Sequence, residues 1–558
     1  MSSKNILDNY VTNTDDNVFA VTNLSGIVGA VMARYSRAET GLRETLLREF
    51  IKEDQLKLAK ADKLIERVLI AYGDDSVGEL EGAHLSFENI SMLATKLIEH
   101  RRIGGSPIEQ STRYVRYDFR NPNDDFHFHI PSGLGEGAAR SFFVTQMNQI
   151  FENYSTMWQK LMPFLEARKP MAEASYDLGA PDSRLSDMQT AKQRAAFERT
   201  YRNDLKTKAC DILRAFLPLA TKANVGLFGN GRFYQHLISK LLTSSLPEGN
   251  TLGEKALREL SKIIPHYVKR AKKLQYLTDN ERAMAMLVRR YFSDLKPPAE
   301  PDVMLVDADH GYICEQLAAT SPTPENLARA TRREAHLNFL ASLVYAHARG
   351  SFTQIRNRIK TFEPAVHEEI MDAYYGQRRH RRNRPERGIE YGYPYTFDLV
   401  TEWAVYKDLM RHRMATIQVQ PLTTDLGFQY PPELEAAGLA AVARDTVDRA
   451  GQLYRELSRN HPAEREYAVL QGHRVRWLLG INDRALMHML ELRTAPQGHP
   501  NYRKTCRQLH RLAEGRYPER GRRMNFVNHE EIYWSRGDSE ARIRVKEARL
   551  EAQATKDG

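Results

Sequence analysis

Apolar side chains at Leu42, Leu46, Leu47, Phe50, Ile51 and Leu56 recur near the 3.6-residue period, and helical patterning dominates from Gly26 to Tyr72. A short apolar run, Val18-Phe19-Ala20-Val21, predicts a strand ahead of it, and residues 1–17, rich in Asn and Asp, predict a mobile end. From His84 to Glu99 the pattern of Leu85, Ile90, Leu93, Leu97 and Ile98 predicts a helix that runs into the polar stretch Arg101 to Tyr114. Asn, Pro, Asp and Gly between Asp118 and Glu136 predict irregular chain. A helix carrying Phe142, Phe143, Phe151 and Trp158 follows, then a polar excursion from Pro170 to Gln193. Asn230 is placed to cap a further helix on which Arg232 and His236, four apart, share a face.

The second half repeats the first. Leu295 to Asp302 holds three prolines in five positions and predicts a stiff linker, with the domain boundary at 297–302. Val303 to Val306 predicts a strand, and Phe397 to Met410 reproduces the pattern of Phe87 to His100, each starting fourteen positions before an arginine, Arg411 or Arg101. Asn482-x-Arg484-x-x-x-His488 repeats Asn230-x-Arg232-x-x-x-His236. The expected organisation is a mobile 1–17, a first domain over 18–296, a second over 303–517 and a charged, exposed tail over 518–558. The expected class is α+β, each copy packing helices on a mainly antiparallel sheet.

Composition narrows the function classes. The 558 residues are 42% hydrophobic and 27% charged, as in soluble globular proteins, with no apolar run long enough to span a bilayer. Cys210, Cys314 and Cys506 are too scattered for a disulfide framework or a zinc cluster, and Met1 to Tyr10 is polar, so a cytoplasmic protein is expected. A net charge of +10 favours anionic partners, whether nucleotides, a dinucleotide cofactor, a polyglutamylated folate or nucleic acid. The densest basic run, Arg378 to Arg387, reads as a solvated loop before it reads as a nucleic-acid surface.

The candidate chemistry centres on Arg101 to Tyr114. Gly104, Gly105 and Pro107 break regular structure there, and Glu109, Gln110, Ser111 and Arg113 gather acceptors, donors and a planar fork suited to a ribose, a base edge and a phosphate. A polar turn with a salt bridge is the plainer alternative. No histidine or aspartate stands at a spacing that would activate Ser111, which is therefore a binding group and no nucleophile.

This stretch resembles the signature of the flavin-dependent thymidylate synthases, Arg-His-Arg followed by seven residues, then Ser-x-Arg-Tyr. Arg101-Arg102-Ile103 fills the first slot and Ser111-Thr112-Arg113-Tyr114 the last. Tyr72 to Glu79 is similar to the family's Tyr-Gly-His-x-Ser-x-x-Glu, and Arg214-x-x-Leu217-Pro218 to its Arg-x-x-Leu-Pro turn. The first copy departs at Arg102 and Ile103, and has Lys240-Leu241 where the family has Leu-Arg. The second copy keeps Arg411-His412-Arg413 and supplies Arg493 eleven residues after Asn482, but has Pro421 and Thr423 in place of Ser and Arg.

The resemblance implies FAD bound by Arg101, Asn230, Arg232, His236, Arg411, His412, Arg413, Asn482, Arg484 and His488. It implies dUMP held by Glu109, Gln110, Ser111, Arg113, Arg214 and Arg493, with Arg493 and Ser111 nearest the chemistry. The implied reaction is reductive methylation of dUMP with methylenetetrahydrofolate and NADPH at composite sites between the copies, in a homodimer that imitates the family's homotetramer. The alternatives are the same chemistry on another pyrimidine, or a non-catalytic relative that binds a nucleotide, flavin or RNA.

Overall fold

The computed structural model describes residues 6–12, 14, 28–35, 42–52, 55–56, 79–101, 103–121, 124–320, 323–380 and 382–546. The expected strand Val18–Val21, the stretch Tyr72 to Gly78, Arg102, most of residues 1–17 and residues 547–558 lie outside them. The chain forms two compact units, one of residues 1–110 with 223–275, the other of 111–222 with 276–558. The Pro-rich segment at 297–302 lies inside the second unit. The architecture is α+β, with many helices and small sheets.

In the first unit, strands Gly82–Ser91, Lys222–Asn230 and Gly105–Glu109 form a sheet with the 222–230 strand in the middle. Helix Met92–Glu99 follows the first strand and helix Gly231–Thr243 follows the middle one. Alternation along Lys222–Asn230 buries Ala223, Val225 and Leu227, the last two in a core with Phe87, Ile90, Phe233, Leu237 and Leu252. The expected helix from His84 to Glu99 is thus a strand that becomes a helix at Met92, where the Ser91 hydroxyl accepts from Ala94 N at 2.9 Å and caps it. Leu42 to Phe50 is helical as its spacing predicts, but Ile51 and Leu56 belong to two short paired strands. The glycine-broken loop also departs from expectation, because Gly105–Glu109 pairs antiparallel with Val225–Gly229 as an edge strand. Gly104, at φ 83°, makes the turn into it.

The second unit repeats this plan. Strands Tyr395–Glu402, Arg474–Ile481 and Thr416–Val419 are again ordered with the late strand in the middle, and Val303–Asp307 adds a fourth on the outer side of Tyr395–Glu402. All three pairings are antiparallel. Phe397 to Met410, expected as a helix, is likewise a strand leading into helix Trp403–Leu409. Leu478 joins a core of Leu340, Val344, Phe352, Ile355 and Ile370. Helix Ala138–Arg168, predicted from its aromatic residues, packs with helix Ala440–Asn460 through Ile150, Ala450 and Leu470. The polar excursion after Pro170 is a small hairpin, Ser175–Tyr176 with Ser183–Arg184, followed by helix Ala191–Leu213, whose Thr190 and Gln193 form a capping box.

The segment beyond Pro518, expected as an exposed tail, is laid down on the second unit as far as it is described. Met524 and Ala541 are buried. Among the described residues no helix is long and apolar enough to cross a membrane.

Candidate functional site

Two equivalent turns of the repeat meet inside the second unit. Pro218 and Leu470, each twelve residues before its helix-capping asparagine (218 to 230, 470 to 482), face each other in an antiparallel bridge. Leu219 N donates to Val469 O at 2.8 Å and Gln471 N to Leu217 O at 3.0 Å. Ala220 N donates to Tyr467 O at 3.1 Å and Gly472 N to Ala215 O at 2.8 Å. Each bond of a pair maps onto the other when the copies are exchanged, so the crossing is a local pseudo-twofold. Pro218 fits there because it has no N–H to offer.

Arg214 ends helix Ala191–Leu213 beside this crossing, with about 2% of its surface exposed. Its Nη1 donates to Asp408 at 3.0 Å, and Nη2 lies 3.8 Å from Glu402. Its Nε and Nη2 are buried without a hydrogen-bond partner. One turn earlier on the same helix, Asp211 takes Arg113 in a two-pronged pair, Nε and Nη2 each at 2.6 Å. Arg113 Nη1 donates to Gln497 O at 3.1 Å and Tyr502 Oη at 3.4 Å, and the His499 ring meets Asp211 O at 3.1 Å.

Burial alone would raise the pKa of both Asp211 and Asp408, yet both are lowered. Arg113, His499 and Arg214 act on Asp211, and Arg214, Arg411 and Arg493 on Asp408. Glu402 goes the other way, because burial outweighs Arg214. His499 is pulled down to about 3, by burial first and then by Arg214. Neutral histidines and the carboxylates of Asp211 and Asp408 here surround the guanidinium groups of Arg113 and Arg214.

The second copy's Arg-His-Arg follows helix Trp403–Leu409, with Arg411 and Arg413 exposed and His412 buried. Arg493, at the end of helix Asp483–Arg493, donates from Nε to His412 Nε2 at 2.9 Å and lies 5.7 Å from the Tyr502 ring centre. Acting as acceptor, His412 is neutral; burial, then Arg493 and His488, hold its pKa at about 3. The His412 and His488 rings are 5.8 Å apart. Asn482 caps the helix by accepting from Ala485 N at 3.0 Å, and Arg484 is exposed in its first turn.

The structure therefore brings Arg113, Arg214, Arg411, His412, His488 and Arg493 into one unit, with Ser111 beside them in sequence accepting from Arg113 N at 3.2 Å. Arg413, Asn482 and Arg484 lie in the same unit, and the remaining predicted residues, Arg101, Glu109, Gln110, Asn230, Arg232 and His236, belong to the first. There Asn230 caps its helix, accepting from Phe233 N at 2.8 Å, Arg232 pairs with Glu79 at 2.6 Å, and His236 is exposed. Glu109 is buried and accepts from Thr95 at 3.0 Å, Gln110 N donates to Asn224 O at 2.9 Å, and Arg101 N closes the 92–99 helix on Ile98 O. Sequence reasoning missed Asp211, Glu402, Asp408, His499 and Tyr502. Asp211 and Asp408 each stand three residues before a singled-out arginine, Arg214 and Arg411, which is the helical spacing that signals a shared face.

Comparison with known proteins agrees with the repeat. The thymidylate synthase complementing protein family matches residues 22–266 and 331–519. A UPF0159 protein of Chlamydia muridarum is 32% identical over 557 residues, covering 96% of this chain and 97% of that one. A UPF0159 protein of Chlamydia pneumoniae is 32% identical with 97% of each chain covered. One of Thermoplasma acidophilum is 27% identical over 93% of this chain and 98% of its own. The chain belongs to the thymidylate synthase complementing protein family, with the family sequence present in two regions.

Proposed function

We propose that the chain is a flavin-dependent methyltransferase that converts dUMP to dTMP with methylenetetrahydrofolate and NADPH, at a composite nucleotide site in its second unit. The observation that carries this reading is the guanidinium of Arg214, buried with Nε and Nη2 unpartnered in the same cluster as Arg113 and Arg493. Leaving buried donors of a charged group unmade is costly, and a phosphate dianion satisfies them. Arg214 and Arg113 come from the first copy, His412 and Arg493 from the second, so the site needs both.

The residues divide the work by chemistry. Arg214 and Arg113 bind the phosphate, with Asp211 and Asp408 fixing their forks in place. Arg493, steered by the His412 acceptor, sets a fixed positive charge where the pyrimidine oxygens gain negative charge as C5 attacks the one-carbon unit. Arg411, Arg413 and Arg484, with the 483–493 helix start capped by Asn482, fit the pyrophosphate of FAD. When bound there, FAD would supply the redox chemistry of the reaction, with NADPH as the reductant, while these residues would hold and orient it. A homodimer provides the four copies that a family tetramer would.

The test is the visible spectrum of the purified protein, dTMP formation from dUMP, NADPH and methylenetetrahydrofolate, and the dUMP stoichiometry by calorimetry. A flavin spectrum, dTMP and one dUMP per chain are expected. A colourless protein that neither binds dUMP nor forms dTMP would overturn the reading.

A further inference from the structure

The family match ends at residue 519, and the chain continues as a strap across the second unit. Arg503 Nη2 donates to Asn528 Oδ1 at 2.8 Å, and Arg507 Nη1 to His529 O and Glu530 O at 2.9 and 2.8 Å. Tyr533 lies under Lys208 Nζ at 3.6 Å and Trp534 under Lys169 Nζ at 5.1 Å. Gly537 is pinned against Tyr176, where an added Cβ would come within 2.4 Å of the ring. Arg542 pairs with Asp177 at 3.0 Å.

Between these anchors stands Arg536. Its guanidinium carbon is 4.6 Å from the ring centre of Tyr114, the neighbour of Arg113 in sequence, and its Nε is buried without a hydrogen-bond partner. Burial first, then the positive charge of Arg113, pulls its pKa down to about 10, and Glu540, one turn on, opposes this. Arg113 has given its fork to Asp211, and Arg536 adds a second guanidinium near it whose Nε has no hydrogen-bond partner. The strap's anchors hold that charge against the Tyr114 ring, one turn from Glu540.

We propose that Arg536 is a phosphate-binding residue of the nucleotide site, delivered by a C-terminal strap that lies beyond the family match. The inference rests on the nucleotide-site reading above and adds the residue that completes phosphate neutralisation. It predicts selectivity for nucleoside monophosphates over nucleosides that is set by the strap.

Calorimetric titration of the full chain with dUMP, inorganic phosphate and deoxyuridine tests it, using Arg536→Ala and Arg536→Lys. Arg536→Ala should weaken dUMP and phosphate binding by about tenfold to a hundredfold, leave deoxyuridine unchanged, and recover in part as Arg536→Lys. A matching melting temperature for both variants shows that the strap stays folded. Equal loss for deoxyuridine, or dUMP and phosphate binding unchanged in Arg536→Ala, would overturn the role of Arg536. Should the parent bind phosphate through Arg536 but not dUMP, the anion site stands and the dUMP reading falls; a parent that binds neither anion sinks both.

Discussion

The two turns that meet at the pseudo-twofold have equivalent backbones and opposite charges. Sixteen residues before each capping asparagine stands Arg214 in one copy and Glu466 in the other (214 to 230, 466 to 482). Arg214 keeps two donors unpaired in a cluster of charges, whereas Glu466 is turned to a structural use and accepts from Leu422 N at 3.0 Å. The same divergence replaces Ser111 and Arg113 by Pro421 and Thr423, and Thr423 folds back on Asp425 at 2.8 Å. On the proposed reading, duplication frees one copy of each pair from binding an anion. One side of the crossing remains a charged site and the other becomes an ordinary buried turn.

Arg214→Ala should break this asymmetry most severely. It removes two phosphate donors and leaves Asp408 and Glu402 buried beside a cavity, so dUMP turnover should fall at least about a thousandfold. Stability should drop by roughly 3–5 kcal/mol, the usual cost of orphaning a buried charge. Chemical denaturation separates the two effects, and Arg214→Lys should recover stability more than activity because a lysine cannot reproduce the fork. A fully active Arg214→Ala enzyme would show that the charged turn is as structural as its partner.

Arg493→Ala comes next. The arginine is the last residue of its helix, so stability should change little, while turnover should fall about a hundredfold or more if it sets the proposed charge at the pyrimidine. His412 would lose its donor and a neighbouring cation, and its pKa should climb from about 3 toward the ordinary 6.5, which NMR of the imidazole ring measures directly. The equivalent position in the first copy, Leu241, is a buried core residue, and Leu241→Ala should show the reverse pattern of lost stability through a cavity.

Much of this was legible in the chain. The repeat and the capping asparagines follow from residue spacing, because helix caps are local signals, and the complementary losses follow from the resemblance to the family signature. Strands Gly82–Ser91 and Tyr395–Glu402 read as helix because each runs directly into a helix with no intervening loop. Ser91 was the one local sign of the junction. The strap was missed for a different reason. Cations over Tyr533 and Trp534 and arginines on backbone carbonyls hold it, and hydrophobic patterning does not register such contacts. Asp211 and Asp408 matter through partners far away in sequence, which spacing alone does not reveal.

A weaker effect, shared by the site and its surroundings, is acid sensitivity. His412 and His499 are held at about 3, and His347 and His473 at about 4, mainly by burial. Each folded pKa lies below the unfolded value of 6.5, so between pH 6.5 and about 4 the unfolded chain binds more protons. Stability is therefore full above pH 6.5 and is lost as pH falls, by up to about 1.4 kcal/mol per pH unit for each histidine. Denaturation midpoints between pH 7 and 4 check this, and His499→Gln should flatten the slope by about one proton. A midpoint independent of pH would show that these imidazoles are not neutral and buried.

The smallest effect belongs to the silent turn. Burial raises the pKa of Glu466 above its ordinary 4.5, against the opposing Leu422 N–H, Arg465 and Arg349. A carboxyl with a raised folded pKa favours the folded state at low pH and loses that advantage as pH rises above 4.5. Glu466→Gln keeps an acceptor for Leu422 N and removes the charge, so stability at pH 7 should rise by about 0.5–1 kcal/mol while that at pH 4 stays unchanged. dUMP turnover and the single nucleotide per chain should be unaltered. If turnover instead fell as far as in Arg214→Ala, the carboxylate would belong to a second working site, and the two turns would differ in ligand without differing in use.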